Sequence, residues 1–240
     1  KYVLYKIGVS SKVRLEYDIY RSTSTNKEYI KMDSANAYNN NFKYSDGEIV
    51  IIGSTNLWFE LEPIVWQILG GYNGEGRSNL LLSSVKALTS MSFGDSDLYK
   101  ESEIKSYLEN EFYTNAFTYA EKHKINKYVN VATAETGTGT SDVTTVGTEE
   151  TGSTVFLLGY GDMIKSEYGF NADVTKNDSA RLRYPTDYAG ANYIYKNTTG
   201  GSICKLRSIA ANDGNTYGLS SGGTLRGYGC SDIDGGVVPA

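Results

Sequence analysis

Histidine and cysteine, which often serve as general base and nucleophile, are scarce in this chain. His123 is the single histidine, and it stands in the charged run 121–124 with no nucleophile beside it. A Ser-His-Asp or Cys-His site would have to use this imidazole, whereas its charged neighbours indicate an exposed helix surface. The sequence therefore predicts a non-catalytic role for His123, and an enzyme is the least favoured function.

The two cysteines, Cys204 and Cys230, lack the spacing of a metal site. A single disulfide in an oxidising compartment and two free thiols are both compatible with the sequence. Asp232 and Asp234 could offer oxygen ligands to a hard cation, but solvated loop acids are the favoured interpretation. No cofactor is expected.

Two further groups are expected to be structural. Arg207 is expected to brace a buried turn by bonding to backbone carbonyls or a carboxylate, and Arg181 and Arg183 are the other cationic candidates. The glycines between 223 and 229 do not form a phosphate loop, because no strand–turn–helix unit with Lys-Ser or Lys-Thr is present.

Tyrosine is the abundant side chain with contact chemistry, at 21 of 240 residues. Tyrosine dominates adaptable binding surfaces together with Ser, Gly and Asn, although it also favours strands. The last quarter of the chain is poor in Val and Ile, so an exposed contact surface is the favoured interpretation there. Its tyrosines are Tyr184, Tyr188, Tyr193, Tyr195, Tyr217 and Tyr228.

Composition limits the partners. The 240 residues can bury a sizeable core, and 40% hydrophobic with 21% charged residues is typical of a globular protein. A net charge of -5 argues against nucleic acid or an anionic membrane as partner. No apolar run of about 18 residues exists, so no membrane span is expected. The chain begins at Lys1, so a missing signal peptide is uninformative.

Strand patterns fill the first third. Alternating apolar residues predict strands at 3–9, 13–19 and 27–32, and residues 48–53 predict a buried strand. The runs 64–69 and 79–83 flank a glycine-rich turn and predict a hairpin. Trp58 and Trp66 fall in strand patterns and are expected in the core.

Two helices have clear signals. An apolar stripe at i, i+3, i+4 and i+8 from Ile104, with Ser102 as N-cap, predicts a helix at Ser102–Asn115. A capping box predicts a second at Thr118–Ile125, and 162–168 is expected to be a short third. The Thr- and Gly-rich stretch 133–152 predicts a long exposed loop.

Several short motifs, taken in order, resemble those of a known family. They are WFELEPIVWQIL at 58–69, LLLS at 80–83, the helix at 104–113 ending in FY, VFLL at 155–158, LRS at 206–208 and GGVVPA at 235–240. Together they resemble a bacterial domain family of unknown function with a C-type-lectin-like fold, over residues 25 to 240. Cys204 and Lys205 stand where that family has Trp-Trp, and Val238 replaces an Arg.

The resemblance implies a function. Some members of the family are variable proteins of diversity-generating retroelements, in which the stretch before the final motif is mutagenised at adenines and forms a ligand-binding face. The implied face lies in the candidate variable region 193–234, and its residues are Tyr193, Tyr195, Asn212, Asp213, Asn215, Tyr217, Ser220, Ser221, Thr224, Arg226, Tyr228, Ser231, Asp232 and Asp234. The cysteine pair of formylglycine-forming relatives and the Glu-Pro-Asn and Trp-Asn-Asp motifs of calcium-dependent lectins do not occur.

The sequence thus predicts a single α+β domain over 1–240 of C-type-lectin-like type. Small sheets and two helices are expected, with 1–41 an accessory β segment and a long Gly-rich loop region at the C-terminus. The expected function is non-enzymatic recognition of a protein or glycan by a diversified surface, outside the cell, on its surface or on a phage, without a nucleic-acid partner. An invariant adhesin or carbohydrate-binding module using the same face is the alternative.

Overall fold

The computed structural model describes residues 4–10, 17–39, 42–71, 80–126, 128–132, 135–138, 142–145, 149–210 and 214–240. Short helices and several small sheets alternate along these residues, which confirms the α+β class. Within the described ranges, no helix has the length and apolar character needed to cross a membrane.

The N-terminal sheet is an antiparallel meander. Its strands are β1 (Leu4–Ser10), β2 (Tyr17–Ser22), β3 (Glu28–Ser34) and β4 (Thr55–Glu60), paired in that order. β1 and β3 match the predicted strands, whereas β2 overlaps the strand predicted at 13–19 only from Tyr17, and residues 13–16 lie outside the described residues. The sheet extends past the expected boundary at residue 41, because β4 forms its far edge. Ile30 and Met32 on β3 are buried in the core and anchor the sheet there.

Two expectations near β4 are wrong. Phe59 packs against the core, but Trp58 faces the other way and is 40% exposed, since successive strand residues point to opposite sides. Residues 48–53 are not a buried strand. Val50 alone reaches the core, where its N–H donates to Phe42 O at 2.8 Å, and Ile51 is 68% exposed.

The predicted hairpin is confirmed. β5 (Trp66–Gly71) pairs antiparallel with β6 (Leu80–Ser84), and the predicted turn between them lies outside the described residues. Trp66 is half-buried rather than enclosed, and its ring stacks on Phe117 at a centroid distance of 5.9 Å. Two short strands follow, β7 (Lys86–Ala87) and β8 (Thr89–Ser90).

The two predicted helices are also confirmed. The first runs without a break through α1 (Glu103–Ser106), a π-helical segment (Tyr107–Phe112) and α2 (Tyr113–Ala116). Ser102 is its N-cap and accepts the Lys105 N–H at 3.1 Å. The second, α3 (Tyr119–Lys122), opens with the expected capping box. His123 follows it and is exposed, as predicted.

The expected loop at 133–152 contains strands. β9 (Tyr128–Ala132) pairs with β12 (Glu149–Ser153), and β10 (Glu135–Thr138) pairs with β11 (Asp142–Thr145). Threonine is β-branched and favours strands even where large apolar residues are scarce. The low apolar content of this stretch therefore misled the prediction.

The C-terminal segment forms the largest sheet instead of a long loop region. Short elements precede it: α4 (Tyr160–Met163) and a 3₁₀ turn (Ser166–Tyr168) in place of the expected helix, then β13 (Tyr184–Pro185) and α5 (Asp187–Ala191). The sheet has the order β16-β15-β14-β17-β8. Its new strands are β14 (Cys204–Ile209), β15 (Asn215–Leu219), β16 (Leu225–Gly229) and β17 (Gly236–Val237).

Glycine permits this sheet to pack closely. A Cβ on Gly218 would lie 2.7 Å from the Tyr228 ring and 2.8 Å from Cys204 O. Glycine counts as a poor strand former on its own, but here it makes room for neighbouring groups. The Gly-rich composition therefore concealed β16 from the sequence analysis, whereas residues 217–219 of β15 have strand character.

Buried arginines brace the core around this sheet. Arg207 Nη1 donates to Leu157 O at 2.8 Å and to Asp162 Oδ2 at 2.7 Å, which confirms its predicted structural role. Arg181 is fully buried and donates to four backbone carbonyls, and Arg183 donates to two. All three guanidinium groups are held by the protein itself.

Candidate functional site

The candidate residues from 193 to 234 fall at two ends of the β15–β16 hairpin. Ser220, Ser221 and Thr224 form the turn, while Tyr228, Asp232 and Asp234 lie at or beyond the far end of β16. β16 is five residues long, so about 17 Å separates the two groups at the usual strand rise. They are therefore two locations rather than one compact site. Asn212 and Asp213 lie outside the described residues.

The turn residues Ser220, Ser221 and Thr224 form hydrogen bonds within the protein. The Ser220 and Thr224 hydroxyls bond to each other at 2.7 Å, and Thr224 is buried. Ser221 O accepts the Asn197 side-chain amide at 3.0 Å. The polar groups of this turn thus hold the loop in shape, and the Thr224 hydroxyl faces inward.

Several tyrosines expected on the contact surface pack elsewhere. Tyr188 is buried on α5 and meets the Phe59 ring edge-on at 5.7 Å, so its expected exposure was wrong. Tyr217 is half-buried, with its ring 4.7 Å from that of Tyr160. Tyr184 is 48% exposed but lies on β13, beside Gly200.

The other tyrosines gather around a residue from the N-terminal part of the chain. The Tyr38 ring meets Tyr193 at 5.5 Å and Tyr195 at 5.2 Å, both at steep interplanar angles. The loop carrying Tyr38 is fixed beside α5, because the Asn36 N–H donates to Ala191 O at 2.8 Å. The Tyr38 side chain remains 40% exposed.

Tyr193 adopts an unusual backbone conformation. Its φ is +68°, in the left-handed region, where the other described non-glycine residues are Asn26 and Asn56. Asparagine visits this region readily, whereas a tyrosine there costs about 1–2 kcal/mol. Strained residues cluster at functional sites, and this strain places the Tyr193 ring beside Tyr38.

Two carboxylates lie next to the rings. The Tyr195 N–H donates to Asp234 O at 2.9 Å, which ties the 230–235 loop to the tyrosine segment. Partial burial raises the pKa of Asp234, and the charge of Asp232 raises it further. Burial likewise raises the pKa of Tyr38, with further contributions from Asp234 and Asp232. The carboxylates and the rings therefore form one electrostatic neighbourhood.

Tyr228 completes this surface from β16. Burial raises the pKa of its phenol to about 12, Arg226 opposes that shift, and Asp234 and Tyr195 add to it. We call the whole surface the tyrosine–aspartate face; it consists of Tyr38, Tyr193, Tyr195, Tyr228, Asp232 and Asp234. Arg226 and Ser231 are exposed at its margin, and Asn215 is half-buried on the neighbouring strand.

A buried lysine supports the face from below. Lys205 is 1% exposed, and its Nζ donates to Gly229 O at 2.6 Å. Burial lowers its pKa, while Asp232, Cys230 and Asp234 act in the opposite direction. Its stem lies against Gly235, where an added Cβ would come within 2.5 Å of the lysine Cε.

The sequence analysis missed Tyr38 and Lys205. Tyr38 stands among asparagines, and its partners are more than 150 positions away in the sequence. Nothing local signals that contact. Lys205 interrupts the apolar residues of β14, and a lysine within an otherwise buried strand is the one signal that could have drawn attention to it.

Reactive groups are sparse in the described part of the chain. Cys204 and Cys230 are both buried and free. Cys204 lies opposite Leu219, whereas Cys230 follows Gly229, which lies opposite Asn215. That offset is roughly 14 Å along the strand, beyond the limit of about 7 Å between the Cα atoms of a disulfide. The disulfide alternative is therefore not realised.

The metal alternative is also limited by geometry. Among the described ranges, no group of three or more His, Cys, Asp or Glu side chains is placed to hold a metal ion. Asp232 and Asp234 are a pair of carboxylates beside aromatic rings. That arrangement can attract cations, accept hydrogen bonds and provide ring faces for contact.

Comparison with known proteins gives one match. The model of a family described as Domain of unknown function (DUF6273) matches residues 78–240. Neither a curated protein nor a solved structure matches the chain. The matched region includes the tyrosine–aspartate face except for Tyr38, which precedes it.

Proposed function

This chain belongs to the DUF6273 family of domains of unknown function, and from that premise we propose that it is a non-enzymatic binding protein whose ligand contacts the tyrosine–aspartate face. One observation carries the proposal. Tyr38, from outside the matched region, meets Tyr193 and Tyr195 in a cluster that stays partly exposed. Aromatic residues with partly exposed rings are enriched at binding surfaces.

The backbone strain at Tyr193 supports the same proposal. A ring in the core is placed by packing that lowers the free energy, whereas Tyr193 takes a costly φ of +68° at the surface. Rigid aromatic anchors give contact area at low entropic cost. The arrangement therefore suits a prepared contact surface rather than a catalytic centre.

The finer part of the proposal concerns the fold and the origin of the surface. We propose a C-type-lectin-like scaffold and a face that varies between copies through a diversity-generating retroelement. The ordered short motifs from Trp58 to Ala240 and the mixed α+β architecture support it. The genomic test is a neighbouring reverse-transcriptase gene with a template copy of the 3′ end that differs at adenines. Absence of both contradicts diversification and leaves an invariant binding protein.

The binding test uses a glycan array and a displayed peptide library, with the complete chain as the probed protein. Ligands selected on the unaltered chain are measured again on Tyr38→Leu and Tyr195→Leu. The expected result is a loss of affinity of about threefold or more in each variant, with a melting temperature close to that of the unaltered chain.

Tyr119→Leu is the matched control, because Tyr119 is 81% exposed and lies on α3 away from the face. It is expected to leave binding intact. Ligands that bind both face variants as tightly as the unaltered chain would exclude this surface as the binding site.

A further inference from the structure

The charges around the exposed rings restrict what the surface can bind. Asp232 is exposed and Asp234 half-buried, and both act electrostatically on the Tyr38 phenol. Aromatic ring faces carry negative charge density and attract cations, most strongly when carboxylates are nearby. The rings and the carboxylates are two independent features, and both favour positive charge.

Among the described residues, Lys205 and Arg226 are the cations that act on Asp234 and Tyr228 of this face. Lys205 is turned beneath the surface and commits its Nζ to Gly229 O at 2.6 Å. Arg226 acts on the Tyr228 phenol, while the charges that act on Asp234 are those of Asp232 and Lys205. Two carboxylates therefore share one buried ammonium group, Arg226 stands at the margin of the face, and the Asp232 carboxylate is exposed to solvent on its outer side.

The three rings meet edge to face. Tyr38 meets Tyr193 at an interplanar angle of 66° and Tyr195 at 76°, which is the ordinary geometry of packed aromatic pairs. The Tyr38 side chain is 40% exposed, so part of its surface remains open to a ligand. An ammonium or guanidinium group that reaches an open ring face is attracted by it.

From these observations we infer that the tyrosine–aspartate face binds a segment of another protein that presents lysine or arginine side chains. The inference rests on the proposed function, because it names the ligand of the same face. Charge complementarity selects the cation. The exposure of the rings favours a protein segment over a small molecule, since Tyr38 is 40% exposed whereas small-molecule sites enclose most of their ligand.

The experiment follows amide shifts of the ¹⁵N-labelled complete chain during titration with three synthetic peptides of one length. They carry three lysines, three acetyl-lysines or three glutamates, separated by Gly and Ser. We expect the lysine peptide alone to shift residues 38, 193–195 and 228–234. Its affinity should fall as salt is raised, because screening weakens exposed charge pairs.

Two pairs of variants separate specific contact from general attraction. Asp232→Asn with Asp234→Asn is expected to weaken the lysine peptide about tenfold. Glu111→Gln with Glu167→Gln removes the same charge from two exposed positions away from the face, and a change below twofold is expected. Tyr195→Phe is expected to keep binding and Tyr195→Leu to lose about threefold, since phenylalanine retains the ring face.

The inference is overturned by equal binding of the acetyl-lysine or glutamate peptide, by no shift at the face, or by equal losses in the two double variants. Those results leave the proposed function standing if a glycan or another peptide from the screen still loses affinity in Tyr38→Leu. If no ligand of any class is sensitive to Tyr38→Leu, both the inference and the proposed function are wrong.

Discussion

Replacing Arg207 tests whether the stability of the fold depends on this buried ion pair, neither member of which belongs to the proposed binding surface. Arg207 and Asp162 are 3% and 4% exposed, and their atoms Nη1 and Oδ2 lie 2.7 Å apart. Breaking one partner out of a buried pair costs about 3–5 kcal/mol, because an uncompensated charge stays buried. Arg207→Met keeps much of the side-chain volume while removing the charge.

The surroundings set the cost within that range. Asp162 keeps the Gly159 N–H at 2.9 Å and Lys165 Nζ at 3.3 Å after Arg207 is replaced. These partners offset part of the lost interaction, so we expect a loss of about 3 kcal/mol in the free energy of unfolding. For a chain of this size that corresponds to a fall in Tm of about 6–12 °C.

The assay is chemical denaturation at pH 7, in which two further variants are measured beside Arg207→Met. Arg207→Met combined with Asp162→Asn removes both charges and keeps an acceptor for the Gly159 N–H, so about half of the loss should return. Arg226→Met, at an exposed arginine, should change stability by less than about 0.5 kcal/mol. A loss below about 1 kcal/mol for Arg207→Met, or no recovery in the double variant, would refute the reasoning.

The charge of Asp162 also predicts how the stability deficit of Arg207→Met changes with pH. Burial alone would raise the pKa of Asp162, but Arg207, the Gly159 N–H and Lys165 outweigh it and hold the pKa below its ordinary value. That stabilisation is present above the pKa of the unfolded state, near 3.9, and is lost as pH falls through the folded value. Without Arg207 the largest contribution that opposes burial is gone, so the folded pKa of Asp162 rises and its ionisation stabilises the variant less than it stabilises the unaltered chain. The deficit of Arg207→Met should therefore shrink from pH 7 to pH 4, and a constant deficit would contradict it.

Three further outcomes are expected. Gly201→Ala should lower stability by about 1–3 kcal/mol in thermal melts, because its Cβ would lie 2.3 Å from Ser221 O and the turn would have to move. An unchanged Tm would contradict the close approach of these two segments. Tyr193→Thr should lower the free energy of unfolding by about 1 kcal/mol more than Tyr193→Asn in denaturant titrations, since a β-branched residue tolerates a φ of +68° poorly and asparagine tolerates it well. Equal losses in the two variants would argue against backbone strain at this position. Burial raises the pKa of Cys204 to about 11 and also raises that of Cys230. Iodoacetamide at pH 8 should therefore label both cysteines only after unfolding. Rapid labelling of the native chain would show that the thiols are accessible.

The parts of the fold that were predicted from the sequence have local signals. Ser102 and Thr118 cap helices through side chains that act within three residues, and the β5–β6 hairpin joins strands close in sequence. Arg207 was assigned correctly because an arginine within an apolar segment must find acceptors. In each case the deciding interaction lies within a few residues or follows from burial alone.

The parts that failed lacked a signal in the residues themselves, for a different reason in each case. β16 contains Gly227 and Gly229 and forms because β15 lies beside it, which no local propensity expresses. Trp58 was assigned to the core because its hydrophobicity was weighed without the face of the strand on which it lies. The tyrosine–aspartate face needed the contact between Tyr38 and Tyr193, and sequence spacing carries no information about it.

Lys205 on β14 positions the loop beneath the tyrosine–aspartate face. Its stem fills space against Gly235, and its ammonium group donates to Gly229 O, so it fixes both ends of the loop that carries Asp232 and Asp234. One contact is to a glycine and the other to a backbone carbonyl, so neither depends on which side chains stand at 232 and 234. Replacing those two side chains should therefore leave the backbone of the loop in place.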